Sequence, residues 1–182
     1  MTFPLNLTFV YGVILGIVFM DLRVDHHFIG VESARSLNDL SRGYVYYADI
    51  SANESIYFQL VLPCLIVVSG VFLMKLWIEK RTQIEFFLVF FNVFMVYVFI
   101  GSVIPQITKL KSMTLKSIAD NTSQQDVMFK ILKDIALSHV QVCLAAFFSL
   151  LIVLKSYLND SSTEQIEQEE IEEKKENDKK TK

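Results

Sequence analysis

The side chains with the clearest capacity for chemistry follow the first apolar stretch of the chain. His26 and His27 adjoin Asp21, Asp25 and Glu32, and carboxylates together with imidazoles are ligands for divalent metals. Adjacent residues of an extended segment point to opposite sides, so the two histidines would not face one ion. A wet loop at a membrane surface explains this group better than a metal site. The sequence therefore predicts no bound metal and no cofactor.

The apolar stretches further along the chain offer few groups suited to catalysis. The second to fourth of them have no Asp or Glu in their middles, and the only histidine within them is His139. Charges inside the membrane mark the pathways of many transporters, and rings of charge select ions in channels. Neither pattern is present, and the chain has no glycine-rich phosphate loop and no CxxC motif. We predict that it is not an enzyme and has no catalytic residues.

Four apolar stretches dominate the chain. Of its 182 residues, 52% are hydrophobic, with 15 phenylalanines and one tryptophan, and the mean hydropathy is +0.39. A helix of about 20 residues crosses the roughly 30 Å hydrocarbon layer, and the alternation of a membrane strand is missing. We predict an all-α membrane protein in which residues 1–158 form a bundle of four transmembrane helices, at about 5–22, 56–77, 86–107 and 135–158. Pro105 is expected to end the third helix.

Basic residues predict the orientation of this bundle. Four spans place both termini on one side, together with the short second connector, where Lys75, Lys80 and Arg81 are concentrated. Basic residues in short loops face the cytosol, so the loops at 23–54 and 108–134 are predicted to be luminal and to cover that end of the bundle. The second luminal loop contains the sequon Asn121-Thr122-Ser123, which makes Asn121 a candidate for glycosylation.

Residues 159–182 form a separate acidic tail. Their composition cannot bury a core, so we expect a disordered, charged segment or a solvated helix. Lys179 and Lys180 are the fourth and third residues from the end of the sequence, which is the dilysine pattern that retrieval coats recognise on membrane proteins of the endoplasmic reticulum. Such an address is read by a receptor and is not an anchor. The predicted location is the endoplasmic-reticulum membrane, with multiple spans and both termini in the cytosol.

Sparse polar and small residues share faces of the predicted helices. Small residues let helices approach closely in lipid, and single polar side chains bond across helices for about 1–2 kcal/mol at most. Packing within the bundle is one interpretation, and contact with helices of other membrane proteins is the second. The candidate residues for packing or cargo contact are Gly12, Gly16, Gln59, Asn92, Ser138, Gln141, Ala145 and Ser149. Tyr44, Tyr46 and Tyr47, ahead of the second helix, are typical of an interfacial aromatic belt.

Several short motifs lie at defined places in the four helices. They are Gly12 to Phe19 in the first, Tyr46-Tyr47 ahead of a second that contains Leu62-Pro63, Glu85-Phe86-Phe87 opening the third, and Gln141-Val142-Cys143-Leu144 in the fourth. With a longer first luminal loop and a short second connector, this layout resembles the fungal endoplasmic-reticulum chaperones that package amino-acid permeases. The resemblance covers residues 5–158, and the short acidic tail departs from the family pattern.

The resemblance implies a dedicated membrane chaperone. Its partners would be polytopic permeases as cargo, vesicle coat components are a further candidate, and no nucleic acid is expected. A newly made permease exposes helix faces that are not yet paired. A resident helix bundle would hold those faces through weak contacts and release the folded cargo into transport vesicles.

Two other resemblances remain as alternatives. Phe19-Met20-Asp21-Leu22 is similar to the end of the first helix in four-span proteins of the sterol-isomerase and sigma-2-like family. Those enzymes and binders use acidic residues inside the spans, and Gln59 stands here where an acid would be needed. His139-Val140-Gln141 resembles a small four-span oxygenase-like family.

Overall fold

Every regular element is helical in the computed structural model, which describes residues 2–30, 36–50, 56–80, 83–114 and 121–180. The α-helices are α1 (Thr2–Asp25), α2 (Leu37–Tyr44), α3 (Ile56–Lys80), α4 (Gln83–Val98), α5 (Ile104–Lys111) and α6 (Thr122–Lys180). There are also two π-helical turns in the described chain. The first, Val45–Ile50, continues α2, and the second, Phe99–Val103, joins α4 to α5.

Three segments of the described chain are long and apolar enough to cross a membrane. They are Leu7–Asp25, Gln83–Lys111 and Thr122–Ser156, and a shorter apolar segment, Pro63–Lys75, lies within α3. Large side chains such as Phe90, Val93 and Tyr97 are more than half exposed, which suits a lipid environment better than water. To this extent the predicted all-α membrane protein is confirmed.

The prediction that Pro105 ends the third helix is wrong. The helix continues from Gln83 to Lys111, and Pro105 lies in the first turn of α5, directly after the π-helical turn. Proline lacks a backbone N–H and its ring crowds the preceding turn, so it disrupts a regular helix interior. The wider π turn before Pro105 changes the local hydrogen-bond register, and the chain stays helical past the proline.

Side-chain contacts show the relative directions of the long helices. In each contacting pair of helices, the residue number rises along one helix as it falls along the other, so the pairs are antiparallel. For α1 and α6, the contacts are Asp25 with His139 and Tyr11 with Ser149. For α4 and its π-helical turn against α6, they are Phe91 with Phe148 and Ser102 with Ser138. For α3 and α4, they are Trp77 with Phe86 and Ser69 with Asn92.

Two groups of buried apolar residues hold the helices together. The larger lies between α1, α3, α4 and α6 and includes Tyr11, Ile14, Ile66, Met95 and Val142. The smaller caps one end of these helices and joins the chain after α1 to α2, α5 and the first turns of α6, through Phe28, Leu40, Leu110, Met128 and Leu132. The described parts of the two predicted luminal loops therefore pack over the helix ends.

Gly43 allows the close packing of this cap. A Cβ atom at this position would lie 2.8 Å from Phe28 Cζ and 2.9 Å from Leu132 Cδ1. Both distances are shorter than a real carbon–carbon contact, so only glycine lets α2 approach α6 and Phe28 this closely.

Composition predicts either a disordered segment or a solvated helix for the acidic tail, and in the structure α6 continues as a helix to Lys180. Glutamate and lysine are good helix formers. In the sequence, Glu170 precedes Lys174 by four residues, and Glu176 precedes Lys180 by the same spacing. A sequence with this spacing and order of charges favours a helix.

Candidate functional site

Two carboxyl groups lie on one face at the end of α1. Asp21 and Asp25 are four residues apart and therefore neighbours on a helix. The predicted helix ends at about residue 22, with Asp25 in a wet loop. Instead α1 continues through Asp25, whose side chain is fully buried, while that of Asp21 is 15% exposed. Asp25 shares the buried face of α1 with Tyr11, Ile14 and Val18.

The π-helical turn after α2 brings two phenols to these carboxyl groups. Tyr46 Oη donates to Asp21 Oδ1 at 2.7 Å, and Tyr47 Oη donates to Asp25 Oδ1 at 2.6 Å. The two rings meet edge to face, with their centroids 4.9 Å apart. The interfacial aromatic belt predicted for these tyrosines is therefore replaced by specific hydrogen bonds, because the cap turns their hydroxyls inward.

His139 of α6 completes this group, which we call the Asp25 cluster: Asp21, Asp25, Tyr46, Tyr47 and His139. Its Nδ1 lies 2.7 Å from Asp25 Oδ2 and 3.4 Å from Tyr47 Oη. We therefore assign Nδ1–H as the donor of a hydrogen bond to Asp25 Oδ2. Its Nε2 lies 3.9 Å from Asp21 Oδ2. The histidine thus stands between the two acids and joins α6 to α1.

The hydrogen bonds of the Asp25 cluster compensate for the burial of its polar groups. A buried carboxyl group without partners is strongly unfavourable, and both oxygens of Asp25 accept a hydrogen bond. Burial raises the pKa of both tyrosines, and the Asp21 and Asp25 carboxylates raise it further. The phenols therefore remain protonated and act as donors. Chemically, the cluster can hold and share protons among two carboxyl groups and one imidazole.

His26 and His27 take no part in this cluster. His26 Nδ1 contacts the Arg23 carbonyl oxygen at 2.6 Å, and the two imidazole rings lie 3.9 Å apart. Within the described ranges, no group of three His, Cys, Asp or Glu side chains is arranged to hold a metal ion.

A second polar group, the Asn92 cluster, lies between the long helices: Tyr11, Ser69, Asn92 and Ser149. Asn92 Nδ2 donates to Ser69 Oγ across α4 and α3, and Ser69 Oγ donates to the Ile66 carbonyl oxygen. Ser149 Oγ donates to the Ala145 carbonyl oxygen of its own helix. The buried Tyr11 hydroxyl lies beside Asn92 and Ser149, although no described group meets it in hydrogen-bond geometry. This cluster carries no formal charge.

Four of the eight predicted packing residues are used within the chain. Ser138 is buried and bonds to Ser102 at 2.8 Å, Ala145 and Ser149 are buried, and Asn92 is 2% exposed. Gln141 is exposed, so the predicted polar face of α6 is divided between the core and the surface.

Gly12 and Gly16 behave differently from these residues. A Cβ atom at either position would meet no atom within 4 Å in the described part of the chain. At helical spacing they share a face of α1 with Phe9 and Phe19, whose side chains are 72% and 67% exposed. This face, the Gly12–Gly16 face, lies opposite the buried face that carries Tyr11 and Asp25.

Three predicted site residues have side chains outside the described part of the structure: Gln59, Lys179 and Lys180. Asn121 is described and exposed, and its Oδ1 accepts a hydrogen bond from the Ser123 backbone N–H at 3.0 Å, at the start of α6. Its side-chain nitrogen stays available for a glycan in this arrangement.

The Asp25 cluster was not predicted from the sequence, although one sequence pattern indicated it. Two acids four residues apart at the end of an apolar helix are unusual, and His139 falls near the same end of the fourth apolar stretch. Aligning the ends of the first and fourth apolar stretches on one side of the membrane would have placed His139 near the two acids. The tyrosines could not be placed in this way, since their positions depend on the π-helical turn and on the cap.

The features described so far define a helical protein with segments suited to spanning a membrane. Comparison with known proteins found no match. No protein-family model, curated protein or solved structure is similar to this chain. The function must therefore be argued from its own residues.

Proposed function

We propose that the chain is a four-span membrane protein of the endoplasmic reticulum that assists the folding of polytopic permeases, such as amino-acid transporters, and their packaging into transport vesicles. It acts as a chaperone by holding cargo helices within the bilayer. The family resemblance at residues 5–158 motivates this function, and the distribution of contacts on the helices supports it.

Four spans are supported by the directions of the long helices. The antiparallel pairs of α1 with α6, of α4 with α6 and of α3 with α4 make these helices alternate in direction along the chain. The 25 residues of α3 are enough to cross the hydrocarbon layer at 1.5 Å per residue. Both termini would then lie on the side opposite the Asp25 cluster.

The observation that carries the proposal is the open Gly12–Gly16 face. Helix association in lipid depends on close backbone approach at small residues, and Gly12 and Gly16 have no such partner in the described chain. Of the other small and polar candidates, Asn92, Ser138, Ala145 and Ser149 are already packed inside. A cargo helix can therefore dock on α1 without displacing an internal contact.

The chemistry of this face suits transient binding. Gly12 and Gly16 offer van der Waals contact, and Phe9 and Phe19 flank them with exposed rings. Residues 9–19 include no charged side chain that would hold cargo through a buried ion pair, and Arg23 continues this side of α1 only at the end of the helix. Contacts of this kind release a permease once its own helices pair with one another.

The location and orientation come from the sequence predictions at Lys179, Lys180 and Asn121. Replacing both lysines with serine should move the protein out of the endoplasmic reticulum, as seen by fluorescence microscopy. Glycosidase-sensitive modification at Asn121 would place the α6 start in the lumen. Protection of the carboxyl end from protease added to sealed microsomes would contradict the proposed orientation.

Capture of newly made cargo tests the chaperone function. We expect the full-length protein in mild detergent to capture permeases labelled during a short pulse, and to lose them during a chase. Gly12→Leu with Gly16→Leu should reduce this capture about tenfold, since the bulky side chains keep a cargo helix away.

Gly101→Leu is the matched control, because Gly101 is also exposed and a Cβ there would meet only Tyr97, at 3.9 Å. Equal capture by the two variants would show that cargo does not bind at the Gly12–Gly16 face. Normal surface levels of every polytopic permease in cells without the protein would refute the chaperone function itself.

A second candidate function rests on the Asp25 cluster. The sterol-isomerase and sigma-2-like resemblance calls for acidic residues inside the spans, and Asp21 and Asp25 lie within the apolar segment Leu7–Asp25. Under this alternative, the purified protein binds a sterol-like ligand, and Asp21→Asn lowers the affinity at least tenfold. If binding survives this substitution, or if no ligand binds, the chaperone function is the remaining candidate.

A further inference from the structure

A basic cavity of about 420 Å³ opens beside the end of α1. Arg23, Arg42, His27 and Ser41 contribute polar groups to its lining, and the two arginines belong to the last turns of α1 and α2. Within the described part of the chain, no carboxylate lines the cavity and neither arginine forms an ion pair. The cavity therefore concentrates positive charge that the described residues do not neutralise.

The remaining walls of the cavity are apolar. Val24, Val45 and Tyr46 line it. The Tyr46 hydroxyl already donates to Asp21 Oδ1, so the Asp25 cluster holds this residue and its donor is not available to a ligand. A ligand that fits must carry an anionic group for the arginines and an apolar part for the valines.

The depth of the cavity in the membrane narrows the choice of ligand. The apolar segment Leu7–Asp25 ends at the level of Arg23 and Val24, and the ends of spanning helices lie at the lipid headgroups. Arginine side chains near helix ends extend toward this interface. The group that a bilayer itself presents at this depth is a phosphate ester joined to a glycerol backbone.

We propose that this cavity binds the phosphate group of a membrane glycerophospholipid, with Arg23 and Arg42 as its ligands. Guanidinium groups recognise phosphate oxygens through paired hydrogen bonds, Ser41 can donate a further one, and Val24 and Val45 contact the glycerol and the first acyl carbons. The volume lies within the range of small-molecule sites, about 300–1,000 Å³. This site is independent of the Gly12–Gly16 face and does not rest on the chaperone function.

Native mass spectrometry of the full-length protein in non-ionic detergent tests the proposal, with dioctanoyl phosphatidate as the probe. We expect saturable binding of one lipid. Arg23→Gln combined with Arg42→Gln should weaken it by about a hundredfold, or about tenfold for each arginine, as is usual for hydrogen bonds to charged groups. Arg23→Lys with Arg42→Lys keeps the charge without the paired geometry and should recover part of the affinity.

Lys109→Gln with Lys111→Gln is the matched control, since both lysines are exposed in the last turn of α5, near the same helix ends and outside the cavity. The proposal requires this control to bind as the unmodified protein does. It is overturned if both glutamine pairs bind phosphatidate equally, or if dioctanoylglycerol, which lacks phosphate, binds as tightly. Displacement of the lipid by an equal concentration of inorganic phosphate would identify a site for the free anion and also contradict the lipid assignment.

Discussion

The Asp25 cluster lies at the capped end of the long helices, whereas the Asn92 cluster lies between them. The first contains two acids and a histidine, and both oxygens of its most buried acid accept hydrogen bonds. The second contains neutral groups, and its Tyr11 hydroxyl is buried without a partner among the described residues. An unpaired charged group costs more on burial than an unpaired neutral hydroxyl. Of these two clusters, the one with ionisable groups lies where the cap supplies partners, whereas Glu85, buried near the start of α4 outside both, keeps its Oε2 without a hydrogen bond among the described residues.

Removing the central acid should have the largest effect on this comparison. Asp25→Ala leaves His139 and the Tyr47 hydroxyl buried without their shared acceptor, and we expect a loss of about 3 kcal/mol in the free energy of unfolding. The measurement is unfolding in mixed micelles of mild detergent and dodecyl sulfate. Asp126→Ala, at an exposed position of α6, is the control, and an equal effect of both substitutions would mean that the Asp25 cluster does not stabilise the fold.

The two tyrosines should differ in importance. Tyr47 is 5% exposed and bonds to the fully buried Asp25, while Tyr46 is only partly buried and bonds to Asp21. We expect Tyr47→Phe to lower the free energy of unfolding by about 2 kcal/mol, and Tyr46→Phe by less than half as much, because water can replace part of its bond. Equal losses in the same unfolding assay would show that burial does not set the strength of these bonds.

Alkaline pH should weaken the Asp25 cluster. The pKa of Tyr47 is raised well above 10.0 by burial and by the neighbouring carboxylates. The stabilisation from its neutral phenol is therefore complete below pH 10 and is lost as the pH rises toward the folded-state pKa. The slope should approach about 1.4 kcal/mol per pH unit. Comparing the pH dependence with that of Tyr47→Phe isolates this group, and identical curves would exclude it.

The Asn92 cluster should respond to added volume. A Cβ atom at Gly70 would lie 2.6 Å from Asn92 Oδ1, so Gly70→Ala must push α3 away from α4 or rotate the amide. The expected loss is about 1 kcal/mol, at the low end for overpacking because alanine favours a helix. Gly12→Ala, which meets no atom within 4 Å in the described chain, should be neutral or stabilising. A neutral Gly70→Ala would contradict the close α3–α4 contact.

The smallest effect is expected from the neutral hydrogen bond itself. Asn92→Ala removes the donor to Ser69, and hydrogen bonds between membrane helices contribute about 0.6 kcal/mol on average. Ser149→Ala should change less still, since that hydroxyl bonds within its own helix. If Asn92→Ala proved as damaging as Asp25→Ala, the contrast between the two clusters would disappear.

Helix composition was accessible from the sequence because lipid leaves an apolar segment of this length few alternatives. The ends of helices were not, and the reasons are local. Asp25 is charged and was assigned to a loop, yet the cap covers it and α1 continues. Pro105 is a typical helix stop, but a π-helical turn precedes it and the chain continues as α5.

The candidate site was predictable only in part for a related reason. The helix faces of Asn92, Ser138 and Ser149 follow from periodicity, which a sequence displays directly. Whether a face meets a neighbour or lipid depends on how helices pack, and this decides that Gly12 and Gly16 are open while Ala145 is buried. Periodicity gives the angle of a residue around its helix, and only the assembled helices show what lies opposite it.

The partners of the Asp25 cluster are made at very different times during synthesis. Asp25 and His139 are separated by 114 positions, and a ribosome adding about 5–20 residues per second needs roughly 6–23 s to travel from one codon to the other. Throughout that interval the first helix carries two acids that lack their imidazole. They must either stay hydrated at the bilayer surface or bind protons until the last helix arrives, so the first helix cannot settle into its final position before translation of the membrane domain is nearly complete.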